Sequence, residues 1–333
     1  MDSISELRQD IVSGDWVLIA TGRAKRPDDF IQAKSSEPDR PKKDCPFDSI
    51  EEPSLLLFSS DGKKDKDDWW VQIIENKYPA LGKGICKPYR TTGPYHWKDG
   101  VGFHEIVVTR DHTRPFAMMS EAEIELVLRA FQERYITIKD MDCVEYVSIF
   151  QNHGLRSGAS ISHPHSQIIA IPVIPPDVGR SINGSSRYYK EHNACVHCAV
   201  IEYEEDTKER IIYENEYMIV VAPYASKSAF EMRVFPKKHN AYFETMAPKE
   251  RVALADALRV TLGKLYQGLK NPDYNFFLHT APTANSEEYH HYHWHFEILP
   301  KTAIWAGFEI GTGIEISVIT PEAAADFLRN ITI

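Results

Sequence analysis

The chain has 333 residues, room for two ordinary domains or one large one, and 43% of them are apolar, which excludes a disordered chain. Its 48 acidic against 38 basic side chains give a net charge of −10, a balance that disfavours a nucleic-acid or membrane-surface partner. No apolar run reaches membrane-spanning length and the first residues carry no signal-peptide pattern, so a cytoplasmic protein is expected.

In chain order, a strand is expected at Trp16 to Ala20, followed by the basic turn Arg23-Ala-Lys-Arg-Pro27. Residues 34–44 are rich in Pro, Lys and Asp and read as an exposed loop that ends at Cys45-Pro-Phe-Asp48. The charged run from Asp61 to Asp68 reads as a solvated hairpin tip. Val71 to Ile74 and Phe103 to Thr109 read as strands. Ser120 with Glu123 forms a capping-box signature, and Ile124, Val127, Leu128, Phe131 and Tyr135 continue with a helical period. Val144 to Phe150 is the next strand.

A Gly/Ser-rich loop, Gly154-Leu-Arg-Ser-Gly-Ala-Ser160, then runs through His163-Pro-His-Ser-Gln167 into an apolar strand, Ile168 to Ile174. A two-residue period puts His163, His165 and Gln167 on one face. Such a loop can bring N–H and hydroxyl groups to an anion, and two imidazoles beside it suggest phosphorus chemistry, one as nucleophile and one as metal ligand. Residues 179–186, rich in Gly, Ser and Asn, read as a linker.

Beyond it the order of motifs recurs. Cys195-Val-His-Cys198 takes the place of Cys45-Pro-Phe-Asp48, and Tyr213-Glu-Asn215 that of Ile74-Glu-Asn76. Phe230 to Phe235 parallels Phe103 to Val108, each followed by a histidine, His239 and His112. Pro248 opens a second amphipathic helix, Tyr274 to Leu278 parallels Val144 to Phe150, and His293-Trp-His-Phe-Glu297 stands where His163 to Gln167 stood. Repetition in one order predicts a duplicated α+β chain, each unit an antiparallel sheet packed with a helix, over residues 1–178 and 179–333.

The second unit offers Cys195, Cys198, His239 and His293 as a tetrahedral zinc site, closed by protein and therefore structural. The first offers Cys45, Asp48, His112 and His163, where a carboxylate replaces one thiolate and a second zinc is an even alternative to an empty site. His279, His290 and His291 read as loop or surface imidazoles, and Cys86 and Cys143, without partner spacing, as inert thiols.

The segment Asn152 to Ser160, the motif His163-Pro-His-Ser-Gln167, the turn Arg23 to Pro27 and the duplicated layout together resemble the galactose-1-phosphate uridylyltransferases, the transferase branch of the histidine-triad superfamily. The resemblance implies two tandem histidine-triad-like domains and a ping-pong reaction. In it His165 attacks the α-phosphorus of UDP-glucose, and the uridylyl-histidine passes its nucleotide to galactose 1-phosphate. Gln167 would hydrogen-bond the phosphate without exchanging a proton. Ser160 would contact phosphate; Arg23, Arg26, Asn76, Asn152 and Gly158 would bind nucleotide or phosphate; Phe308 and Glu309, in Gly307 to Gly313, would meet the hexose phosphate. A homodimer sharing its sites is also implied, with sugar nucleotide and hexose 1-phosphate as partners. The C-terminal segment looks closer to relatives that are ADP-glucose phosphorylases: enterobacterial-type uridylyltransferases carry Lys and Gln where Ala303 and Glu315 stand here, and the Cys195/Cys198 pair resembles the phosphorylase-like branch. The sequence therefore leads to a UDP-glucose–hexose-1-phosphate uridylyltransferase, with an ADP-glucose phosphorylase as the enzyme alternative and a zinc-stabilised nucleotide-binding module as the non-enzyme one.

Overall fold

The computed structural model describes residues 4–20, 22, 27–30, 41–283 and 288–333. Near the N-terminus β1 (Glu6–Gln9) pairs antiparallel with β2 (Trp16–Ile19). β3 (Leu56–Ser59) and β4 (Trp69–Glu75) follow, joined by the exposed charged tip. A small hairpin, β5 (Arg90–Thr92) and β6 (Tyr95–Trp97), precedes β7 (Phe103–Thr109). Helix α1 (Glu121–Ile138) starts at Ser120, whose hydroxyl accepts the Glu123 N–H while Glu123 accepts the Ser120 N–H at 2.7 Å. Strands β8 (Tyr146–His153) and β9 (His165–Ile171) close the first half.

Helices α2 (Pro176–His192) and α3 (Val196–Thr207) lead into β10 (Ile211–Glu214), β11 (Met218–Val221) and β12 (Met232–Pro236). Helix α4 (Pro248–Leu269) has Pro at its first turn and Glu250 accepting the Ala247 N–H at 2.7 Å. After β13 (Tyr274–His279) and β14 (His295–Pro300) come α5 (Gly307–Thr312), β15 (Glu315–Ser317) and α6 (Pro321–Arg329). β15 lies parallel to β2, tying the two chain ends together.

Ten strands form one sheet in the order β10-β11-β12-β14-β13-β8-β9-β7-β4-β3, every neighbouring pair antiparallel. Five strands come from each half, and the order is mirrored about the β8–β13 seam. At that seam Tyr274 pairs with His153 and Phe277 with Phe150, so the halves join edge to edge and neither leaves its inner edge unpaired. α1 and α4 lie on one face over the main core, where Val127, Phe131, Leu258 and Leu262 meet Val107, Ile168, Val234 and Phe296. Gln132 of α1 links the pair: its Nε2 donates to the Glu244 and Met246 carbonyls, and its Oε1 accepts from Arg251. The opposite face carries smaller clusters: Phe47, Ile74, Ile106 and Val108 in the first half, Ile201, Ile219 and Phe235 in the second.

Two expectations need correction. Residues 179–186 are not a linker but the middle of α2, where Val178, Ile182 and Ser185 recur at helical spacing and are buried. Gly184 is small for a packing reason: a Cβ there would sit 1.7 Å from the Val12 carbonyl oxygen. Cys86 and Cys143 are not free thiols; they form a disulfide between the segment before β5 and the turn before β8. A bond between cysteines 57 residues apart leaves no local spacing signature. No helix among the described residues is long and apolar enough to cross a membrane.

Candidate active site

The loop Gly154 to Pro164 connects adjacent strands β8 and β9 and runs directly into His165. Gly154 has φ +84° and ψ 160°, a backbone conformation open essentially to glycine alone. A Cβ on it would also meet the Asp273 carboxylate at 2.1 Å. That carboxylate accepts the Arg156 N–H at 2.7 Å, and Asn275 of β13 donates to both Asn152 Oδ1 (2.7 Å) and the Ser157 carbonyl (3.0 Å). The second half thus braces the loop of the first. Asp273 and Asn275 went unnoticed in the sequence because nothing local marks residues that act across the seam.

The backbone amides of Ser157, Gly158 and Ala159 bond within the loop, and that of Arg156 to Asp273. Among the described residues no partner is seen for the amides of Leu155 and of Ser160 to Ser162, and Ser160 is exposed. Gly158 turns left-handed, at φ +92°, beside Asn152.

β9 runs from His165 to Ile171, three residues earlier at each end than the expected Ile168 to Ile174, and leaves His163 outside the strand. His165 pairs with Val108 and Gln167 with Ile106, which puts both side chains on the face opposite α1 and α4. Nδ1 of His165 lies 2.8 Å from the His163 carbonyl oxygen. A carbonyl only accepts, so Nδ1 carries the proton and Nε2 keeps its lone pair. The Phe47 ring packs at 5.0 Å, and burial lowers the imidazole's pKa, which favours the neutral, nucleophilic form. A cleft of about 460 Å³ follows the loop past His112, Asn152 and His163, but on the helix-covered side with Met118 and Leu269. His165 faces the other way, so that cleft is not the space beside its Nε2.

His163 sits just ahead of the strand and is fully buried. Its Nε2 donates to the Thr109 carbonyl at 2.7 Å, turning Nδ1 toward Cys45 Sγ at 3.6 Å and Asp48 Oδ2 at 3.5 Å. His112 Nδ1 contacts the same Asp48 oxygen. In the second half His293 and His239 donate from Nε2 to the carbonyls of Pro236 (2.9 Å) and His290 (2.7 Å). Their Nδ1 atoms face Cys198 Sγ at 3.6 and 3.4 Å, and Cys195 Sγ is 3.9 Å from His293. Four donors on one tetrahedral zinc stand about 3.3–3.8 Å apart, from bonds of about 2.0–2.3 Å. The second set comes close to this spacing, with both imidazole Nε2–H groups anchored on carbonyls as in metal-binding histidines; the first set shares the grouping and the His163 anchor, but its His112–Asp48 contact is closer than two ligands of one zinc would stand. Hydrogen bonding between the two thiols pulls Cys195 down and pushes Cys198 up, so one thiolate is already favoured.

His279 is neither loop nor surface: it ends β13 and stacks on His295 at 4.9 Å, and the two form a third cluster with Glu297. His279 is half-buried and His291 buried, whereas His290 is exposed. In this half, where Gln167 would stand, Glu297 pairs across the sheet with Arg233 and forms an ion pair with its guanidinium at 3.4 Å. An ion pair thus fills the space that the first half keeps neutral. Asn76, just beyond β4, accepts the Tyr78 N–H and places Nδ2 3.0 Å from His104 Nε2, close to Gln167. Phe308 is half exposed, and Glu309 caps its own helix by accepting the Ala306 N–H at 3.0 Å; among the described residues neither is seen against the β9 histidines. Arg23 and Arg26 lie outside the described residues.

The comparisons agree with this geometry. Residues 1–175 match the model of the galactose-1-phosphate uridyl transferase N-terminal domain, and residues 101–331 match a domain of unknown function (DUF4921). The ADP-glucose phosphorylase of Arabidopsis thaliana is 33% identical over 98% of this chain and 93% of its own length. The galactose-1-phosphate uridylyltransferase of Thermotoga maritima is 28% identical over 98% of each. The crystal structure of an Arabidopsis thaliana ADP-glucose phosphorylase with bound ADP-glucose superimposes with a TM-score of 0.82 at 30% identity, covering 99% of this chain and 100% of that one. By its duplicated sheet, its His-Pro-His-Ser-Gln strand and these matches, the chain belongs to the galactose-1-phosphate uridylyltransferase family.

Proposed function

We propose that the protein transfers a nucleotidyl group from a sugar nucleotide through a covalent intermediate on His165. The observation that carries this is the tautomer of His165: with Nδ1–H held by the His163 carbonyl, Nε2 is the free nucleophile. Nε2 attacks the α-phosphorus, the P–O bond to the sugar phosphate breaks, and the electron pair leaves with the sugar 1-phosphate. The imidazole acquires positive charge, which the Nδ1–H···O=C bond stabilises. An acceptor oxygen then displaces the imidazole, the N–P bond breaks, and neutral His165 returns. Amide hydrogens of Gln167 and the backbone from Ser160 to Ser162 serve the phosphate oxygens, with Ser160, Gly158, Asn152, Asn76, Arg23 and Arg26 in the same binding role.

For the donor and acceptor we favour ADP-glucose and inorganic phosphate, which would make the protein an ADP-glucose phosphorylase. Similarity to the phosphorylase from Arabidopsis thaliana over the whole chain supports this, as does the segment Gly307 to Gly313 with Phe308 and Glu309. The uridylyltransferase reading, UDP-glucose with galactose 1-phosphate, is the second, supported by the domain match over residues 1–175.

Residues 1–178 are on this reading the catalytic half and 179–333 its support, in a cytoplasmic homodimer. Zinc suits both four-donor sets: Cys195, Cys198, His239 and His293 in the supporting half, and Cys45, Asp48, His112 and His163 beside the nucleophile. When bound in the first set it supplies rigidity to the backbone carrying His165, not reactive chemistry.

The test is initial-rate kinetics with each donor and each acceptor. Parallel double-reciprocal lines with ADP-glucose and phosphate are expected. Turnover confined to UDP-glucose with galactose 1-phosphate would reverse the donor assignment, and intersecting lines with every pair would reject the covalent route.

A further inference from the structure

His104, on β7, is given no functional role by the sequence, yet it is the hub beside Gln167. We propose that His104 is a positioning residue that fixes which end of the Gln167 carboxamide faces the reacting phosphate; the inference rests on the nucleotidyl-His165 reading above.

The argument is one of proton placement. A neutral imidazole has one donor and one acceptor nitrogen. The Ala80 backbone N–H points at His104 Nδ1 from 3.0 Å, and a backbone amide can only donate. Nδ1 therefore accepts and the ring proton resides on Nε2. That N–H faces Gln167 at 2.8 Å, so the amide oxygen must be the end that meets it. The Gln167 NH₂ is thereby turned away from His104, as a donor for phosphate oxygens on the face it shares with His165. A flipped amide would offer an oxygen to those oxygens instead.

Asn76 is ordered by the same centre. Its Oδ1 accepts the Tyr78 N–H at 2.9 Å, and its Nδ2, 3.0 Å from His104 Nε2, cannot donate to a nitrogen that already carries a proton. The Gln167 donor is thus aimed under the control of one backbone amide, that of Ala80, while Tyr78 fixes the Asn76 amide beside the same imidazole.

The second half supplies the contrast. The register pairs Ile106 with Gln167 and Arg233 with Glu297, so the position two residues before Arg233, Glu231, corresponds to His104. There the acceptor-only carboxylate of Glu297 has two equivalent ends and needs no such orientation, and Arg233 bridges Glu231 and Glu297 at 3.4 Å each. The histidine is found where an asymmetric amide must be oriented.

The test uses H104N and H104Q in the full chain, with ADP-glucose at saturation and the rate of adduct formation on the intact chain as readout. Asparagine keeps an acceptor at the Nδ1 position and loses the donor; glutamine reaches the Nε2 position with a donor and loses the acceptor. Orientation of Gln167 predicts that H104N slows adduct formation by about 10–100-fold, part of the effect of removing one oxyanion donor, while H104Q recovers most of the rate. A role confined to holding the Ala80 segment predicts the reverse order. In a Q167A background H104N should have no further effect, because the two residues act as one unit. Equal losses in both backgrounds, or an H104N rate equal to wild type, would overturn the proposal. Melting temperatures of the variants separate misfolding from misorientation. A wild-type chain that forms no adduct with either ADP-glucose or UDP-glucose would instead overturn the parent reading, and this inference with it.

Discussion

Gly154→Ala is the sharpest perturbation of the phosphate loop. Alanine at φ +84°, ψ 160° enters a region essentially confined to glycine, at a cost of about 1–3 kcal/mol. The new Cβ would lie 2.1 Å from Asp273 Oδ1 and 2.2 Å from its Cγ, so the carboxylate must move. Moving it gives up the 2.7 Å bond from the Arg156 N–H, worth about 1.5–3 kcal/mol for a charged acceptor. Together these amount to about 2.5–6 kcal/mol, concentrated between β8 and β9. A connecting loop relieves such strain by shifting, so activity should suffer more than global stability. We expect the rate of His165 labelling to fall at least about 100-fold, the scale of losing an oxyanion donor, with a melting temperature lowered by a few degrees. Gly158→Ala is the internal control. Its φ is +92°, but the nearest atom to a Cβ is Asn152 Nδ2 at 3.9 Å, so only left-handed strain of about 1–2 kcal/mol applies. Calorimetry and quenched-flow labelling of the two variants decide the matter. If Gly154→Ala labels as fast as wild type, or Gly158→Ala is the worse of the two, the account of the loop is wrong.

Gly184→Ala should behave against helix propensity. Alanine normally gains about 0.5–1 kcal/mol in a helix interior, but here it would meet the Val12 carbonyl at 1.7 Å; denaturant unfolding should show a loss of about 1–3 kcal/mol, typical of overpacking. Removing a metal ligand tests the second half. Cys195→Ser should lower the melting temperature by about 5–15 °C, from roughly 2–4 kcal/mol at about 2–4 °C per kcal/mol, and native mass spectrometry should find one zinc fewer per chain. A chelator should lower the wild-type melting temperature toward that of the variant; an unchanged wild-type metal content and melting curve would remove zinc from the account.

Much of this fold was legible because the relevant signals are local. Ser120 and Glu123 mark the start of α1, Pro248 that of α4, and the β-branched run from Phe103 to Thr109 is a strand end for end. The repeat was legible as an order of motifs, and the mirrored strand order is its counterpart in three dimensions. What escaped is what acts at a distance. Asp273 and Asn275 brace a loop more than 100 residues earlier in the chain, through the β8–β13 seam that no periodicity announces. The Gly, Ser and Asn of α2 look like a linker until Val12 is placed against Gly184. His104 looks like one polar residue in an apolar strand, and its significance lies in the tautomer imposed by Ala80. The four-donor clusters were readable as residue types, but the Nε2 anchors on Thr109, Pro236 and His290 that aim their imidazoles were not.

The central claim is that His165 Nε2 becomes bonded to phosphorus. Its most direct measurement is the intact mass of the chain, quenched after exposure to ADP-glucose or UDP-glucose without acceptor, for wild type and His165→Asn. Wild type should gain the mass of one nucleoside monophosphate and lose it again when phosphate or a hexose 1-phosphate is added, while the variant, equally folded, should gain nothing. An adduct that persists in His165→Asn, or none in wild type with either donor, would contradict the account.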